Sequence, residues 1–174
     1  MSDPNSIWPA ALDLAGWIER HREALRPPVG NRCIVDGDFI VMAVGGPNRR
    51  SDFHCEDGPE LFYQIEGEMT LRIREAGQVR DIAITAGQLY YLPPRVWHSP
   101  QRPAGSVGLV VERKRRPGEL DGLAWFCEQC GEVLYESVFA LRDIETDLPP
   151  IFAAFNARPE HRTCRRCGTV HTGP

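Results

Sequence analysis

The chain has 174 residues, of which 42% are hydrophobic, and this length can close one full core with a small appendage. Its net charge of -4 and its isoelectric point near 5.7 give no surface-wide positive field, so nucleic acid is not expected as a partner. No apolar stretch approaches the roughly 20 residues of a membrane helix, and the N-terminus lacks the pattern of a signal peptide. We therefore expect a cytoplasmic protein without a membrane partner.

The first predicted element is an amphipathic helix near the N-terminus. Pro27 and Pro28 end its pattern, because proline interrupts helical hydrogen bonding. We assign residues 1–31 to this helix and the loop after it. The apolar face has the spacing of a buried stripe and contains Leu14, Trp17, Ile18, His21 and Leu25.

Between residues 32 and 118 the sequence predicts short strands separated by turn residues, with no helical period. Many short strands at this spacing favour an antiparallel sandwich or barrel, and the jelly-roll group fits the pattern. We therefore predict a mainly β protein with a barrel over this range. The clearest strands are apolar runs or alternate apolar with polar residues: 39–44, 69–73, 79–84, 89–92 and 107–111.

Residues 119–174 differ in composition, with a short predicted helix at 148–156, little strand alternation and two Cys-x-x-Cys-Gly knuckles. Thiolates from two knuckles can hold one tetrahedral metal, and the glycines permit the tight backbone path. Disulfides are disfavoured in a reducing cytoplasm, and redox catalysis lacks a βαβ context. We predict a small extension with a structural site for iron or zinc, since both accept four sulfurs. Its ligands are Cys127, Cys130, Cys164 and Cys167.

A second set of candidate ligands lies within the predicted barrel, where His54 and Glu60 precede His98. Two imidazoles and one carboxylate on one side of a metal leave open positions, which is the arrangement of non-haem Fe(II) oxygenases. The alternative is that these are ordinary turn histidines and a surface carboxylate. The neighbouring Cys55 is either a reactive thiol or a bystander.

The two blocks that contain these residues resemble the paired signature motifs of the cupin superfamily, including the accompanying Gly67, Gly87 and Pro93. Two positions depart from the family pattern. Glu56 stands where a second histidine is usual, and Arg95 stands where a glycine is usual. If Glu56 points away from the metal, the site keeps room for a chelating substrate and for dioxygen. The resemblance implies a cupin jelly-roll barrel.

Longer stretches are similar to one family, 3-hydroxyanthranilate 3,4-dioxygenase, and the cysteine pairs match its bacterial members, which carry a rubredoxin-like site. This resemblance implies an Fe(II) enzyme that converts 3-hydroxyanthranilate and O2 to 2-amino-3-carboxymuconate semialdehyde. That product cyclises to quinolinate, a precursor of NAD in the kynurenine pathway. The family also suggests a homodimer. The matching stretches are Pro27-Pro-Val-Gly-Asn31, Val44-Gly-Gly-Pro-Asn48, Leu61-Phe-Tyr-Gln64, Leu92-Pro-Pro94, His98-Ser-Pro-Gln-Arg-Pro103 and Thr146-Asp-Leu-Pro-Pro150.

The resemblance also implies roles for residues outside the metal ligands. Arg102 matches the arginine that binds the substrate carboxylate, because a guanidinium fork offers two parallel hydrogen bonds. Arg50 matches an arginine near the dioxygen position, and Glu112 matches an acidic residue that accepts and returns protons. Glu60 is assigned to substrate as well as metal, and Asn31 helps to close the pocket. Without the resemblance, solvated surface roles would be favoured for the charged side chains.

Two other functions fit parts of the sequence. One is a cupin dioxygenase for another aromatic compound, such as a gentisate-type or aminophenol substrate. The other is a non-enzymatic metal-binding module whose knuckles form a zinc ribbon on nucleic acid. That module requires a basic surface, and glutamates dilute the arginines around the knuckles. The short basic run 113–116 is interpreted as a solvated turn.

Overall fold

The structure of the protein, a computed structural model, describes residues 8, 10–27 and 30–173. Helix α1 (Leu14–His21) begins after Asp13, whose carboxylate accepts a hydrogen bond from the Gly16 amide at 3.0 Å. A single 3-10 turn, Arg22–Leu25, extends it. The predicted N-terminal helix is confirmed, while Pro28, predicted to end it, lies outside the described residues. Within these ranges no helix is long and apolar enough to cross a bilayer.

Strands dominate the described part of the chain and form two antiparallel sheets, which confirms the mainly β prediction. The first sheet has the order β1-β2-β9-β4-β7, and the second has the order β11-β10-β3-β8-β5-β6. The strands are β1 (Asn31–Asp36), β2 (Phe39–Gly45), β3 (Phe53–Cys55), β4 (Glu60–Glu66), β5 (Glu68–Glu75), β6 (Gln78–Thr85), β7 (Leu89–Leu92), β8 (Trp97–Gln101), β9 (Val107–Arg113), β10 (Asp121–Phe126) and β11 (Val133–Phe139).

The main core lies between the two sheets. Met69, Leu71 and Ile73 alternate along β5 and are all buried, as the period of two in the sequence predicted. They pack with Phe62 of β4 and Val110 of β9 from the opposite sheet. Each such side chain contributes about 1.5–3 kcal/mol by leaving water. This packing fixes the separation of the sheets, and hence the space between them.

The chain after residue 118 contributes two strands that the sequence did not predict, β10 and β11. Strand β10 is buried along almost its whole length and therefore shows no alternation. Helix α2 (Ile144–Ala157) packs on β10, with the Phe155 ring stacked on Trp125 at a centroid distance of 4.2 Å. Helix α3 (Pro159–Arg162) follows. The division of the chain at residue 118 stays a prediction. Strand β10 also pairs with β3, which places it beside the predicted metal ligand His54.

Candidate active site

The three predicted ligands of the barrel lie together between the sheets. His54 on β3 is paired directly with His98 on β8, and Glu60 begins β4 in the facing sheet. Glu60 Oε1 lies 2.9 Å from His98 Nε2 and 4.0 Å from His54 Nδ1. One ligand atom from each residue lies within 4.8 Å of the other two. Two imidazole nitrogens and a carboxylate oxygen at these distances can bind one divalent transition metal.

The electrostatics of this triad favour a bound cation. Burial alone would raise the pKa of Glu60, but His98 and His54 outweigh it and hold the pKa at about 2. Burial likewise lowers the pKa of His98, while the adjacent Glu60 raises it by more. A buried carboxylate is therefore kept ionised between two rings, and a metal ion can replace the ring proton as its positive partner.

Each histidine is anchored through the ring nitrogen that faces away from Glu60. His98 Nδ1 lies 3.0 Å from the Val96 carbonyl oxygen, and His54 Nε2 lies 2.6 Å from Asp121 Oδ2. Such contacts fix the orientation of a metal-binding imidazole. Asp121 was missed by the sequence analysis, because it is separated from His54 by 67 positions and reaches it only through the β3–β10 pairing.

Glu56, which replaces the second histidine of the cupin pattern, is not part of the group formed by His54, Glu60 and His98, although it lies close to Glu60 and Glu112 in a separate group of carboxyl groups. Its Oε2 lies 2.8 Å from Arg115 Nη2. Burial, together with Glu60 and Glu112, raises the pKa of Glu56 to about 10. The Glu56 carboxyl group is thus directed at the guanidinium of Arg115.

The interpretation of run 113–116 as a solvated turn was wrong for Arg115, whose side chain is only 11% exposed. Arg115 donates to both carboxylate oxygens of Asp121, at 3.0 and 2.7 Å, and its Nη1 lies 2.8 Å from Glu112 Oε1. The physical reason is charge, since neighbouring buried carboxylates are stable only with a buried cation among them.

Arg95, the second position that departs from the cupin motif, adopts a left-handed backbone with φ of 62°, and its Nε lies 2.7 Å from Asp57 Oδ1.

A cavity of about 130 Å³ contains the triad and every other residue predicted for the site. This volume is well below the roughly 300–1,000 Å³ of pockets for drug-sized ligands, so it suits a single-ring compound. A wider cavity of about 510 Å³ shares several of its lining residues and lies next to it. The predicted residues that line the smaller cavity with the triad are Asn31, Arg50, Arg102 and Glu112.

Arg102 is a buried cation that lacks a carboxylate partner among the described residues. It is 2% exposed, and its Nη1 donates only to Gln64 Oε1 at 3.2 Å and weakly to Ser106 Oγ at 3.5 Å. Its Nε and Nη2 have no hydrogen-bond partner there, and burial lowers the pKa of Arg102 to about 10. Two unpaired N–H groups of a forked cation in the wall of a cavity are suited to an anionic ligand.

Arg50 and Glu112 complete the charged lining. Arg50 donates to both oxygens of buried Asp52, with the Nε–Oδ1 distance at 3.1 Å. Burial lowers the pKa of Arg50, but Asp52 raises it by more, so the side chain stays cationic. Glu112 on β9 lies directly across from Glu60, and burial raises the pKa of Glu112 despite the nearby Arg115. A raised pKa makes a carboxyl group a stronger proton acceptor.

The reactive-thiol interpretation of Cys55 receives no support from its surroundings. Burial, followed by the charges of Asp57 and Asp121, raises the pKa of Cys55 to about 11. A thiol with this pKa is protonated at neutral pH and is a poor nucleophile.

The two cysteine knuckles come together at one point and have matching backbone geometry. Gly131 donates to the Cys127 carbonyl at 2.8 Å, and Gly168 donates to the Cys164 carbonyl at 2.9 Å. Both glycines have positive φ, 74° and 75°, which other residues rarely adopt. The Cys127–Cys167 and Cys130–Cys164 Sγ distances are 3.6 and 3.5 Å. These are too long for disulfides and close to the roughly 3.8 Å between thiolates on one tetrahedral metal.

Replacing Cys164 with alanine should remove one of the four sulfur ligands and release this metal. We expect a loss of about 3 kcal/mol in stability, which lowers the thermal midpoint by about 6–12 °C. Differential scanning calorimetry and metal analysis measure both effects. Cys33→Ala is the control, since Cys33 is exposed and lies outside the cluster. Equal midpoints for the two variants would contradict a structural role for the cluster.

Comparisons with known proteins identify the family of the chain. Among solved structures, a cupin-2 domain protein from Shewanella frigidimarina aligns with a TM-score of 0.42 and 22% identity, over 48% of this chain and 79% of that one. A 3-hydroxyanthranilate 3,4-dioxygenase from Xanthomonas euvesicatoria pv. vesicatoria is 55% identical, covering 94% of this chain and 93% of that protein. The protein of the same name from Jannaschia sp. is 45% identical and covers 94% and 92%. A family model described as 3-hydroxyanthranilic acid dioxygenase matches residues 7–156. The chain therefore belongs to the 3-hydroxyanthranilic acid dioxygenase family.

Proposed function

We propose that this protein is an extradiol-type dioxygenase that converts 3-hydroxyanthranilate and O2 to 2-amino-3-carboxymuconate semialdehyde. The observation that carries the proposal is Arg102, which lines the same small cavity as the metal triad and whose Nε and Nη2 have no hydrogen-bond partner among the described residues. An aromatic acid with adjacent amino and hydroxyl groups satisfies both features, since its carboxylate pairs with the guanidinium and its other two groups chelate a metal. The relatives from Xanthomonas and Jannaschia carry the name of this activity.

His54, Glu60 and His98 would hold the catalytic Fe(II). When bound, the iron supplies open coordination positions and the redox chemistry of oxygen activation. The donor set fits this ion, because two imidazoles and one carboxylate are the ligands of non-haem iron oxygenases. The four cysteines would hold a second iron or a zinc in a closed structural site. The proposed arrangement has an N-terminal segment 1–31, a barrel 32–118 and an extension 119–174.

Four other side chains of the cavity would bind the substrate, transfer its proton and stabilise charge. Arg102 would bind and orient the substrate carboxylate in the cavity wall. Glu112 would take the proton from the substrate hydroxyl and later return it, as its raised pKa favours. Arg50, held by Asp52, would stabilise negative charge that develops during the reaction. Asn31 lies in the lining shared by the small and the wide cavity, where it would help to close over the substrate.

A homodimer is part of this proposal, supported by large apolar side chains left exposed on the outer face of the first sheet. Phe39 is 61% exposed, Leu89 is 59% exposed and Tyr91 is 56% exposed. An apolar patch of this kind is typical of an interaction surface. Sedimentation equilibrium gives the mass of the particle directly, and a monomer at all concentrations would remove the dimer from the proposal.

The activity is tested by loading the protein anaerobically with Fe(II), then adding O2 and 3-hydroxyanthranilate. Oxygen uptake should match substrate loss one to one, while a near-ultraviolet absorbance develops as the ring opens. Gentisate and 2-aminophenol are run in parallel, because a dioxygenase for another aromatic would consume one of them faster. The proposal fails if the fully loaded protein consumes no oxygen with 3-hydroxyanthranilate.

A further inference from the structure

Asp121 is a fully buried carboxylate that contacts both a metal ligand and a cation. It is 0% exposed and begins strand β10. Its Oδ2 lies 2.6 Å from His54 Nε2 and accepts a hydrogen bond from Arg115 Nη2 at 2.7 Å. Its Oδ1 accepts a second bond from Arg115 Nε at 3.0 Å. Both oxygens are therefore occupied, which leaves this carboxylate one orientation.

This contact determines which nitrogen of His54 carries the proton. Asp121 accepts a hydrogen bond from Arg115 at each of its two oxygens, so it is the ionised partner of this contact, and an ionised carboxylate only accepts hydrogen bonds. The hydrogen atom shared by the pair consequently belongs to His54 Nε2. The other nitrogen, Nδ1, is left with a free lone pair on the side of Glu60, 4.0 Å away. A histidine ligand must offer an unprotonated nitrogen to a metal, and this tautomer does so.

Arg115 connects the same carboxylate to the opposite sheet. Its Nη1 lies 2.8 Å from Glu112 Oε1, and its Nη2 lies 2.8 Å from Glu56 Oε2. A guanidinium is planar and rigid, and this one is hydrogen-bonded to Asp121 while it keeps close charge contacts with Glu112 and Glu56. The position of Glu112 is thereby tied to the position of Asp121, and through Asp121 to His54.

We propose that Asp121 and Arg115 are positioning residues for this site. Asp121 holds His54 in the tautomer that binds the metal, and Arg115 holds Asp121 and Glu112 in one fixed arrangement. The role assigned to Glu112 rests on the proposed dioxygenase function, whereas the role assigned to His54 requires only that the triad binds a metal. Asp121 does not line the small cavity, whereas Arg115 does. In this scheme the Arg115 guanidinium is directed at the surrounding carboxyl groups and not at the substrate.

The first test is a nitrogen-15 NMR spectrum of the metal-free wild-type protein at alkaline pH. With only five histidines in the chain, the His54 signals can be assigned by loss in a His54→Gln variant. We expect the neutral ring to carry its proton on Nε2. A ring protonated on Nδ1 would overturn the proposal, and this measurement needs neither substrate nor an Asp121 variant that folds.

The second test is the Asp121→Asn variant, which keeps the shape of the side chain and removes its charge. Its amide must turn an NH2 group toward either His54 or Arg115, both of which donate. We expect Fe(II) to bind the triad about 10- to 100-fold more weakly in an anaerobic chelator competition, the range for loss of a hydrogen bond to a ligand. The share of the Nε2–H tautomer should fall as well.

Asp81→Asn is the matched control, because Asp81 forms the same two-bond contact with Arg72, at 2.9 and 3.1 Å, on the exposed surface of β5 and β6. Its metal affinity should equal that of the wild type. An Asp121→Asn variant that also binds Fe(II) as the wild type does, with an unchanged tautomer, would refute the role of Asp121. Because these readouts use no substrate, they stay informative even if 3-hydroxyanthranilate is not turned over.

Arg115 is tested through the split between kcat and KM. In Arg115→Gln saturated with iron, kcat should fall about 10- to 100-fold while KM changes little, since the proposed role of Arg115 is to hold Glu112 and Asp121 and not to bind the substrate. A rise in KM at constant kcat would show that Arg115 binds substrate and would overturn this part of the proposal.

Discussion

Alanine in place of His98 is expected to abolish both metal binding at the triad and dioxygenase activity. The variant keeps one imidazole and one carboxylate, and Glu60 loses the neighbour that contributes most to lowering its pKa. The loss of affinity should exceed the roughly 10- to 100-fold that follows from disturbing a residue behind a ligand. Metal analysis should show a fall from two metals per chain to one, because the cysteine cluster is separate and stays intact.

His161→Ala is the control for this experiment. His161 lies on α3, and its Nδ1 contacts the Ala154 carbonyl at 2.8 Å, away from the triad. This variant should retain both metals and full activity. Two metals and unchanged turnover in His98→Ala would mean that the triad does not hold the catalytic ion.

Removal of the Arg102 side chain should produce the second large effect, a loss of substrate selectivity. Truncating one partner of a buried charge pair costs about 2–5 kcal/mol. The expected fall in kcat/KM for 3-hydroxyanthranilate in Arg102→Ala is therefore about 30- to 5,000-fold. With 2-aminophenol, which has no carboxylate, the variant and the wild type should differ far less. Steady-state kinetics with both compounds measure the ratio directly.

Arg72→Ala is a suitable control, since Arg72 pairs with Asp81 at the surface and is distant from the substrate carboxylate in this scheme. A measurement of stability separates the role of Arg102 in substrate binding from its effect on folding. Arg102→Met should be more stable than the wild type without ligand by about 1–3 kcal/mol, because two unpaired buried donors are removed. An equal loss of kcat/KM for both compounds would mean that Arg102 supports the fold of the barrel and does not bind the substrate carboxylate.

The elements with a clear local pattern were predictable from the sequence. Helix α1 has an apolar stripe, and β5 alternates strictly, so a window of a few residues contains the information needed. The metal ligands were found through motif spacing, and the structure brings His54, Glu60 and His98 together as that spacing suggested. Their roles in the reaction stay predictions.

The features that were missed depend on contacts between distant parts of the chain. Strand β10 is buried on both faces, so no alternation distinguishes it. Asp121 becomes important only when β10 pairs with β3, and Arg115 looked like part of a solvated basic run. Buried charges of this kind are identified by their partners, and sequence spacing alone does not reveal which carboxylates a cation will meet.

Strand β10 connects the metal triad to the cysteine cluster. Asp121 stands at its start, and the first thiolate of the sulfur cluster, Cys127, follows directly after its last residue, Phe126. Six residues of extended chain span about 20 Å. Oxidation of the four thiols would disturb the end of β10 that lies opposite Asp121, and with it the support of His54. Stability in air should consequently depend on protecting the thiols as well as the metal held by the triad.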